Sequence, residues 1–355
     1  MDDMLNTFRE RVLRAAQEKA PLRIRGGGSK DWYGNLPQGE LLETADHQGI
    51  VSYEPTELVI TARCGTPLRD IESALAGQGQ MLAFEPPHFN MDATIGGVVA
   101  SGLAGPRRQA AGAVRDFVLG TTLMDGRGEV LRFGGQVMKN VAGYDVSRLQ
   151  AGSLGMLGLI LDVSLKVLPR PQLETTLHLE LDQEEALQRM NVWAGQPLPL
   201  SASAWHANVL TVRLSGAQAA VNAAVRRIGG DVLAADAADT FWRDLRDQRH
   251  AFFTHDAGPL WRLSVPTVAP ALAHQGAQLI EWGGGQRWLR SGDAPESLRA
   301  LAARHGGHAT LYRGGAREQG VFHPLAPAIH TIHRNLKNAF DPAGVFNPGR
   351  MYQDL

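Results

Sequence analysis

Cysteine is almost missing from this chain: Cys64 stands alone among 355 residues. One thiol excludes a disulfide within the chain and any iron–sulfur cluster held by its own thiolates. A charge excess is missing too. Lys and Arg number 35 against 36 Asp and Glu, with no basic block, which argues against a nucleic-acid binder that works by neutralising phosphates. Nowhere do roughly 18 apolar residues run together, so no membrane-spanning helix is expected. The stretch "MDDMLNTFRERVLRAAQEKA" is acidic at once, lacks the apolar core of a signal peptide, and reads as an amphipathic helix. These absences point to a cytoplasmic chain, peripheral to a membrane only through partners.

Glycine is what the chain has in quantity, and it is clustered. "RGGGSK" runs from Arg25 to Lys30. A second cluster, "ATIGGVVASGLAGPRR", holds Gly96, Gly97, Gly102 and Gly105, then Arg107 and Arg108; a third holds Gly152, Gly155 and Gly158 just before an apolar strand. Consecutive glycines let backbone N–H groups converge into a nest for an anion, and a following Ser and Lys add a hydroxyl donor and a charge. A diphosphate suits that chemistry. A Walker loop does not fit, because the order is Gly28-Ser29-Lys30, and a G-x-G-x-x-G fingerprint read from Gly26 meets Asp31 where glycine is required. Alone, the first loop is equally a flexible surface turn. Three clusters together favour an extended flat ligand threaded between loops, since glycine at this density costs conformational entropy.

Length and texture give two domains with a C-terminal return. Residues 1–170 are strand-rich, with a hairpin signal in "MDGRGEVL" and a helix in "TPLRDIESALAGQG", where Thr66 is the expected N-cap and Pro67 the first helical residue. After "LPRPQ" the pattern changes to alternating strands and helices over 171–320, and six of the seven tryptophans lie there. An α+β sandwich with helices on one face is expected, its tryptophans serving as core or interface anchors. Residues 321–355 read as a helix from about Pro327 to Ala339, followed by a turn in "VFNPGR".

The order of these motifs resembles the vanillyl-alcohol-oxidase-like, PCMH-type FAD-binding flavoproteins. It rests on "RGGGSK" at 25–30, "ATIGG" at 93–97, "GYD" at 143–145, "GSLGMLGLI" at 152–160 and "FDPAGVFNPGR" at 340–350. Within the family, "GPRRQAAGAVRDFVLG" and "VMKNVAGYDVSRLQAGSLGMLG" are similar to the E subunits of bacterial glycolate oxidases. The resemblance implies an α+β, two-subdomain FAD-binding fold followed by a small α+β cap for substrate or docking. It also implies that a related flavin subunit and an iron–sulfur subunit are partners in oxidising a small 2-hydroxyacid such as glycolate.

Site residues follow residue by residue. Arg25, Gly26, Gly27, Gly28, Ser29 and Lys30 are assigned to the pyrophosphate. Thr94, Ile95, Gly96 and Gly97, continued by Ser101 and Gly102, are assigned to the flavin, Gly152, Gly158 and Ile160 to the adenosine half, and Asn347 to the return of the C-terminus. Members that attach FAD through histidine carry it where Ser29 and Lys30 stand here, so the FAD is expected to be non-covalent. The family's metal- and substrate-binding "H-x-G-D-G-N-x-H" segment is absent, "RHGGHATLYRGG" with His305 and His308 being the nearest stretch, and Leu154 replaces the glutamate of "G-S-E-G".

Oxidation of a 2-hydroxyacid calls for a base near the hydroxyl and a cation for the carboxylate. His88, Arg107 and Arg108 flank the second cluster and are the catalytic candidates, beside the plainer readings of a structural histidine and of solvated or phosphate-bound arginines. His330 and His333 sit three apart on one helical face without a third ligand, so no metal site is expected. Two main readings stay open, a redox-active FAD subunit and a non-catalytic flavin-binding scaffold; a self-sufficient oxidase is a third.

Overall fold

The computed structural model describes residues 2–135, 145–254 and 258–355. Helix α1 (Asp2–Glu18) leads into strands β1 (Leu22–Arg25), β2 (Glu40–Glu43), β3 (Ile50–Glu54) and β4 (Val59–Arg63), then helix α2 (Leu68–Ala76) and the short β5 (Gln80–Met81). Helices α3 (Ile95–Ser101), α4 (Arg108–Ala111) and α5 (Val114–Phe117) follow. Strands β6 (Val118–Met124), β7 (Val130–Gly134), β8 (Leu159–Lys166) and β9 (Leu168–Pro169) complete this half. Strands β1 and β2 pair in parallel, β5 pairs with β9, and an antiparallel five-stranded sheet runs in the order β3-β4-β8-β6-β7.

The apolar content of β8 explains its central place. Leu159 and Leu161 face α1 through Phe8 and Val12 and β1 through Leu22, whereas Ile160, Val163 and Leu165 face α2 and α3 through Leu68, Ile71, Ile95 and Val99. A strand buried on both sides reads as a near-continuous apolar run rather than an alternating one. The register slips by one residue opposite Leu161, between Thr122 and Leu123, which lets neighbouring residues of β8 serve different cores. The expected hairpin is present as β6–β7, its turn held by the Asp125 carboxylate, which accepts from the N–H groups of Arg127 and Glu129 at 2.8 and 2.9 Å. One local expectation fails: α2 begins at Leu68 with Pro67 at its cap position and no side-chain cap. The Thr66 hydroxyl is instead drawn to the Arg63 carbonyl at 2.7 Å and accepts from Gly49 N–H at 2.9 Å.

The second half builds one antiparallel sheet of eight strands. They are β10 (Leu173–Glu180), β11 (Leu200–His206), β12 (Val209–Gly216), β13 (Asp231–Val232), β14 (Leu260–Ser264), β15 (Gln278–Glu281), β16 (Gln286–Arg290) and β17 (His308–Arg313). Their order is β13-β10-β12-β11-β15-β16-β14-β17. Its helices are α6 (Gln183–Ala194), α7 (Gln218–Ile228), α8 (Ala235–Arg246), α9 (Ala251–Thr254) and α10 (Pro295–Arg304). The outer face packs on α6 and α7 through Leu187, Met190, Val221 and Ala224, and on α10 through Leu298 and Ala302.

Helices on one face only is the expectation that needs correcting. Helix α8, with Trp242 and Leu245, and α9, with Phe252 and Phe253, lie on the opposite, inner face, in one cluster with Leu279, Trp288 and Tyr312 and with Tyr33, Leu103 and Leu154 from the glycine-rich half. The inner face is broad and aromatic, so the loops of the first half alone leave part of it for α8 and α9 to cover. Five of the six tryptophans of this half are buried; Trp282 is partly exposed. Finally α11 (Pro327–Phe340) returns the chain to the first half. Among the described residues no helix is long and apolar enough to cross a membrane.

One buried carboxyl makes the sheet sensitive to pH. Glu281, at the end of β15, accepts from Trp288 Nε1 at 2.6 Å and Gln286 Nε2 at 2.9 Å, and burial pushes its pKa up to about 7. Its folded-state value exceeds the unfolded one, so the folded state keeps a proton that the unfolded chain has released, and stability falls as pH rises from about 4.5 to about 7. Glu281→Gln removes that slope. Thermal or urea unfolding of both proteins at pH 5 and pH 7.5 is expected to show the variant losing less stability over the interval, by about 1 to 3 kcal/mol; parallel pH profiles would contradict it.

Candidate cofactor site

The three glycine clusters, at 26–28, 96–105 and 152–158 in the sequence, meet in one cleft. Its walls are Ile24 and Gly26 from the first, Gly96, Gly97 and Ala100 from the second, and Leu154, Gly155, Gly158 and Ile160 from the third, with Thr44, Cys64 and Asn347 between them. Close backbone approach explains the glycines. A Cβ on Gly27 would land on the Asp92 carbonyl, one on Gly26 on the Thr94 hydroxyl, and one on Gly96 would lie 2.6 Å from the Cys64 Cβ. The Gly96 N–H donates to the Cys64 carbonyl at 2.8 Å, tying the second cluster to the end of β4.

At the first loop the chain leaves donors open. Among the described residues no backbone or side-chain acceptor takes the N–H groups of Gly26, Gly27, Gly28 or Ser29. Consecutive unsatisfied amides need an acceptor from outside the protein. Gly28 is left-handed, with φ of 70°, beneath the Arg25 guanidinium. Arg25 is paired to Asp31 at 2.7 Å. Lys30 donates to Ser29 Oγ at 3.1 Å, and burial pulls its pKa down to about 8, partly offset by Asp247.

The second cluster divides between cleft and core. Thr94 caps α3 by accepting from Gly97 N–H at 3.3 Å. Ile95, expected at the flavin, is fully buried in the α2–β8 core instead, because the first turn of α3 points its apolar side chain toward the sheet. Ser101 bonds the Val98 carbonyl at 3.1 Å, and Gly102 is the left-handed end of α3, backed against Gly152. These positions set the approach of α3 to the third cluster, whose Gly152 and Leu154 N–H groups donate to the Val99 and Ala100 carbonyls at 3.0 and 2.8 Å. Gly158 and Ile160 line the cleft; Gly143 and Tyr144 lie outside the described residues.

Asn347 holds the parts together. Its Oδ1 accepts from Ile24 N–H at 2.9 Å and its Nδ2 donates to the Leu154 carbonyl at 2.6 Å, joining β1 to the third cluster. The returning segment is fixed by Lys337, whose buried ammonium donates to Met156 O, Phe346 O and the Asp341 carboxylate at 2.9, 2.7 and 2.7 Å. Arg350 donates to the carbonyls of Asn35 and Asp31, bracing the segment after the first loop. Sequence reasoning found Asn347 but missed Thr44, Cys64, Lys337 and Arg350. Only the burial of a lysine and an arginine distinguishes the last two, and burial has no signature in the chain.

The three catalytic candidates do not line this cleft. His88 Nε2 sits 2.9 Å from Glu72 Oε2, and its backbone N–H donates to Asp247 at 3.0 Å. Arg107 is held by Glu85 and Glu174, so its charge is already answered and it is no free cation for a carboxylate. Arg108 stacks on Trp282 at 4.3 Å. His330 pairs with Asp354 at 2.7 Å and His333 bonds the Ile329 carbonyl. Among the described residues no three His, Cys, Asp or Glu side chains gather as metal ligands.

Comparison with known proteins decides the family. Residues 7–134 match the FAD binding domain family, and the chain is 48% identical over 353 residues to the glycolate oxidase subunit GlcE of Escherichia coli (strain K12), covering 99% of both. The chain belongs to the GlcE family of glycolate oxidase subunits. Its cofactor is FAD. It is also 31% identical over 164 residues to the glycolate oxidase subunit GlcD of Bacillus subtilis (strain 168), covering 46% of this chain and 35% of that protein. A D-lactate dehydrogenase of Archaeoglobus fulgidus is 26% identical, with 97% of this chain and 89% of that protein covered. The fold matches a solved alkyldihydroxyacetonephosphate synthase with a TM-score of 0.65 at 14% identity, over 96% of this chain and 73% of that one.

The cleft suits the cofactor: open amides at Gly26 to Ser29 offer donors for a diphosphate, and side-chain-free walls admit a flat ligand. Gly27→Ala is therefore expected to lower FAD affinity at least tenfold, read as the ratio of visible flavin absorbance to protein, because the loop must retreat from Asp92. Gly292→Ala, at a site with no neighbour within 4 Å, is the control. Equal flavin content in both would refute this role of the first loop.

Proposed function

We propose that this chain is the FAD-binding subunit of a complex that oxidises glycolate, or a similar short 2-hydroxyacid, to the 2-oxo acid and passes the electrons to partner subunits. Convergence of the three glycine clusters on one cleft carries this reading, supported by similarity to GlcE over the whole chain. Residues 1–170 form the FAD-binding domain, 171–320 the cap, and 321–355 the return segment. The FAD is held without a covalent bond, since Ser29 and Lys30 offer no histidine at the first loop. The chain works in the cytoplasm and reaches a membrane only through its partners.

Bound FAD would supply the two-electron acceptor; the protein supplies position, donors and exclusion of water. The amides of Gly26 to Ser29 take the diphosphate. Asn347 and the Gly96–Cys64 contact hold the walls at the right separation. A single cysteine cannot ligate an iron–sulfur cluster, so onward transfer falls to a partner with thiolates. Similarity to GlcD over 164 residues supports a related flavin protein as the other partner.

A scaffold reading has an observation of its own: Arg107 is neutralised by Glu85 and Glu174, and His88 is engaged with Glu72. Anaerobic mixing of the FAD-loaded chain with glycolate separates the two, because bleaching of the flavin requires an active site here. Purified with its partners, the complex is expected to reduce a dye on addition of glycolate, and Gly27→Ala is expected to abolish at least nine-tenths of that rate. Full activity in a complex whose GlcE-type subunit has lost its flavin would leave only the scaffold. Acid precipitation is expected to release the flavin into the supernatant.

A further inference from the structure

An amphipathic helix on a protein surface turns its apolar stripe to the core and its polar side to water. Helix α11 (Pro327–Phe340) does the reverse. The residue it buries is Lys337, whose ammonium is bonded to the carbonyls of Met156 and Phe346 and to Asp341. On the same side, His330 pairs with Asp354 at 2.7 Å, and the His333 ring meets that of Tyr352 with centres 6.2 Å apart. The side of the helix used for packing is thus polar and hydrogen-bonded.

At about 100° per residue, Ala328, Ile329, Ile332, Leu336, Ala339 and Phe340 fall on one stripe about 120° wide, its centre turned about 120° away from Lys337. That stripe is open. Ile329 is 45% exposed and Ile332 53%; Ala328 and Ala339 are exposed and Leu336 is half-buried. At the C-terminal end, Phe340 rests against Phe133 with ring centres 6.0 Å apart. Scattered apolar residues on a surface need no explanation, but a line of them along one helix marks an interaction site. Positions 329, 332 and 336 have the i, i+3, i+7 spacing with which a helix anchors in a groove.

The dimensions and charges of the ridge define its occupant. Its 14 residues make a helix about 21 Å long, and a third of its circumference offers far less than the roughly 800 Å² per partner that a stable pair buries. Flat pairing with a second copy is therefore too small, whereas a groove that wraps the helix reaches its flanks as well. A lipid surface selects amphipathic helices rich in exposed Lys and Arg. Here Lys337 is buried and Arg334 is already paired with Asp354 at 3.4 Å. Thr331 and Asn335, which border the stripe, are exposed and uncharged.

We infer that α11 is a docking ridge, which sets Ile329, Ile332 and Leu336 into an apolar groove with an uncharged, hydrogen-bonding rim on another subunit of the oxidase complex. Lys337, on the reverse side, bonds the carbonyl of Met156, next to Gly155 in the wall of the cofactor cleft. The partner is thereby seated one helix away from that cleft. The inference rests on the proposed function only in taking the chain to work within a complex.

The chain is co-expressed with its partner subunits and isolated through its own tag, the bound partners being identified by mass. The double variant Ile329→Asp, Ile332→Asp is expected to keep the FAD content and Tm of the isolated chain and to lose at least nine-tenths of one partner. Val268→Asp, at a cap residue that is 77% exposed, is expected to assemble as wild type does. Because Cys64 is buried, Ala328→Cys supplies a second measurement: a maleimide is expected to label it at least tenfold more slowly in the complex than in the isolated chain. If the double variant folds poorly, the labelling rates decide. Full assembly of a folded double variant, equal labelling in both states, or a wild-type chain that retains no partner overturns the inference. So does a wild-type chain that dimerises alone, or binds phosphatidylglycerol vesicles, in a manner abolished by Ile332→Asp, since the occupant would then be a second copy or a lipid surface. An assembled wild-type complex inert to glycolate would sink the proposed function and leave the docking ridge standing.

Discussion

Backbone meets backbone at the centre of this molecule, at separations that a methyl group would forbid. Gly27 lies on the Asp92 carbonyl and Gly96 on Cys64, while Asn347 reaches from the far end of the chain to bind Ile24 and Leu154. These contacts draw three loops into one cleft, where the amides at Gly26 to Ser29 meet no acceptor among the described residues. The cores on either side of β8 hold the sheet that carries the loops. Without the close approach the loops would splay, and the cleft would lose the shape that a flat cofactor needs.

The lock on this arrangement is remote from it. Lys337 is buried, and its ammonium satisfies two carbonyls and the Asp341 carboxylate, which in turn accepts from Val345 and Phe346 N–H. A buried ion pair is tolerated only when its remaining donors and acceptors are met, and here they are. Phe346 packs with Leu22 and Leu159, so the return segment is part of the core beneath the first loop. Order in the cofactor site thus derives from the return segment, from Lys337 onward, as much as from the glycines.

The seam between the two halves is held by ion pairs at one end and by an arginine among aromatic rings at the other. One end spends Glu85 and Glu174 on Arg107 and Arg213, closing the seam between the two halves. At the other, Arg262 is hydrogen-bonded to the Tyr33 hydroxyl and lies over the Tyr312 ring.

Much of this was legible beforehand. Glycine clusters, turn chemistry and the alternation of the strands are local properties, so the α+β class, the β6–β7 hairpin, the cofactor class and Asn347 could all be read along the chain. Ile95 was misassigned because a residue beside two glycines can face core or cleft, and only the orientation of α3 decides. Helices on both faces of the cap were missed because an amphipathic pattern states that a helix is covered, without stating by which surface. The sequence by itself determined where the backbone is bare enough to approach a flat, phosphate-bearing ligand, because that depends on the absence of side chains. Tertiary structure alone decided which partner each arginine meets: Arg107 meets Glu174 from 67 residues away and Arg262 meets Tyr33 from 229. A charge is answered by whatever folding brings near it, which no local pattern encodes.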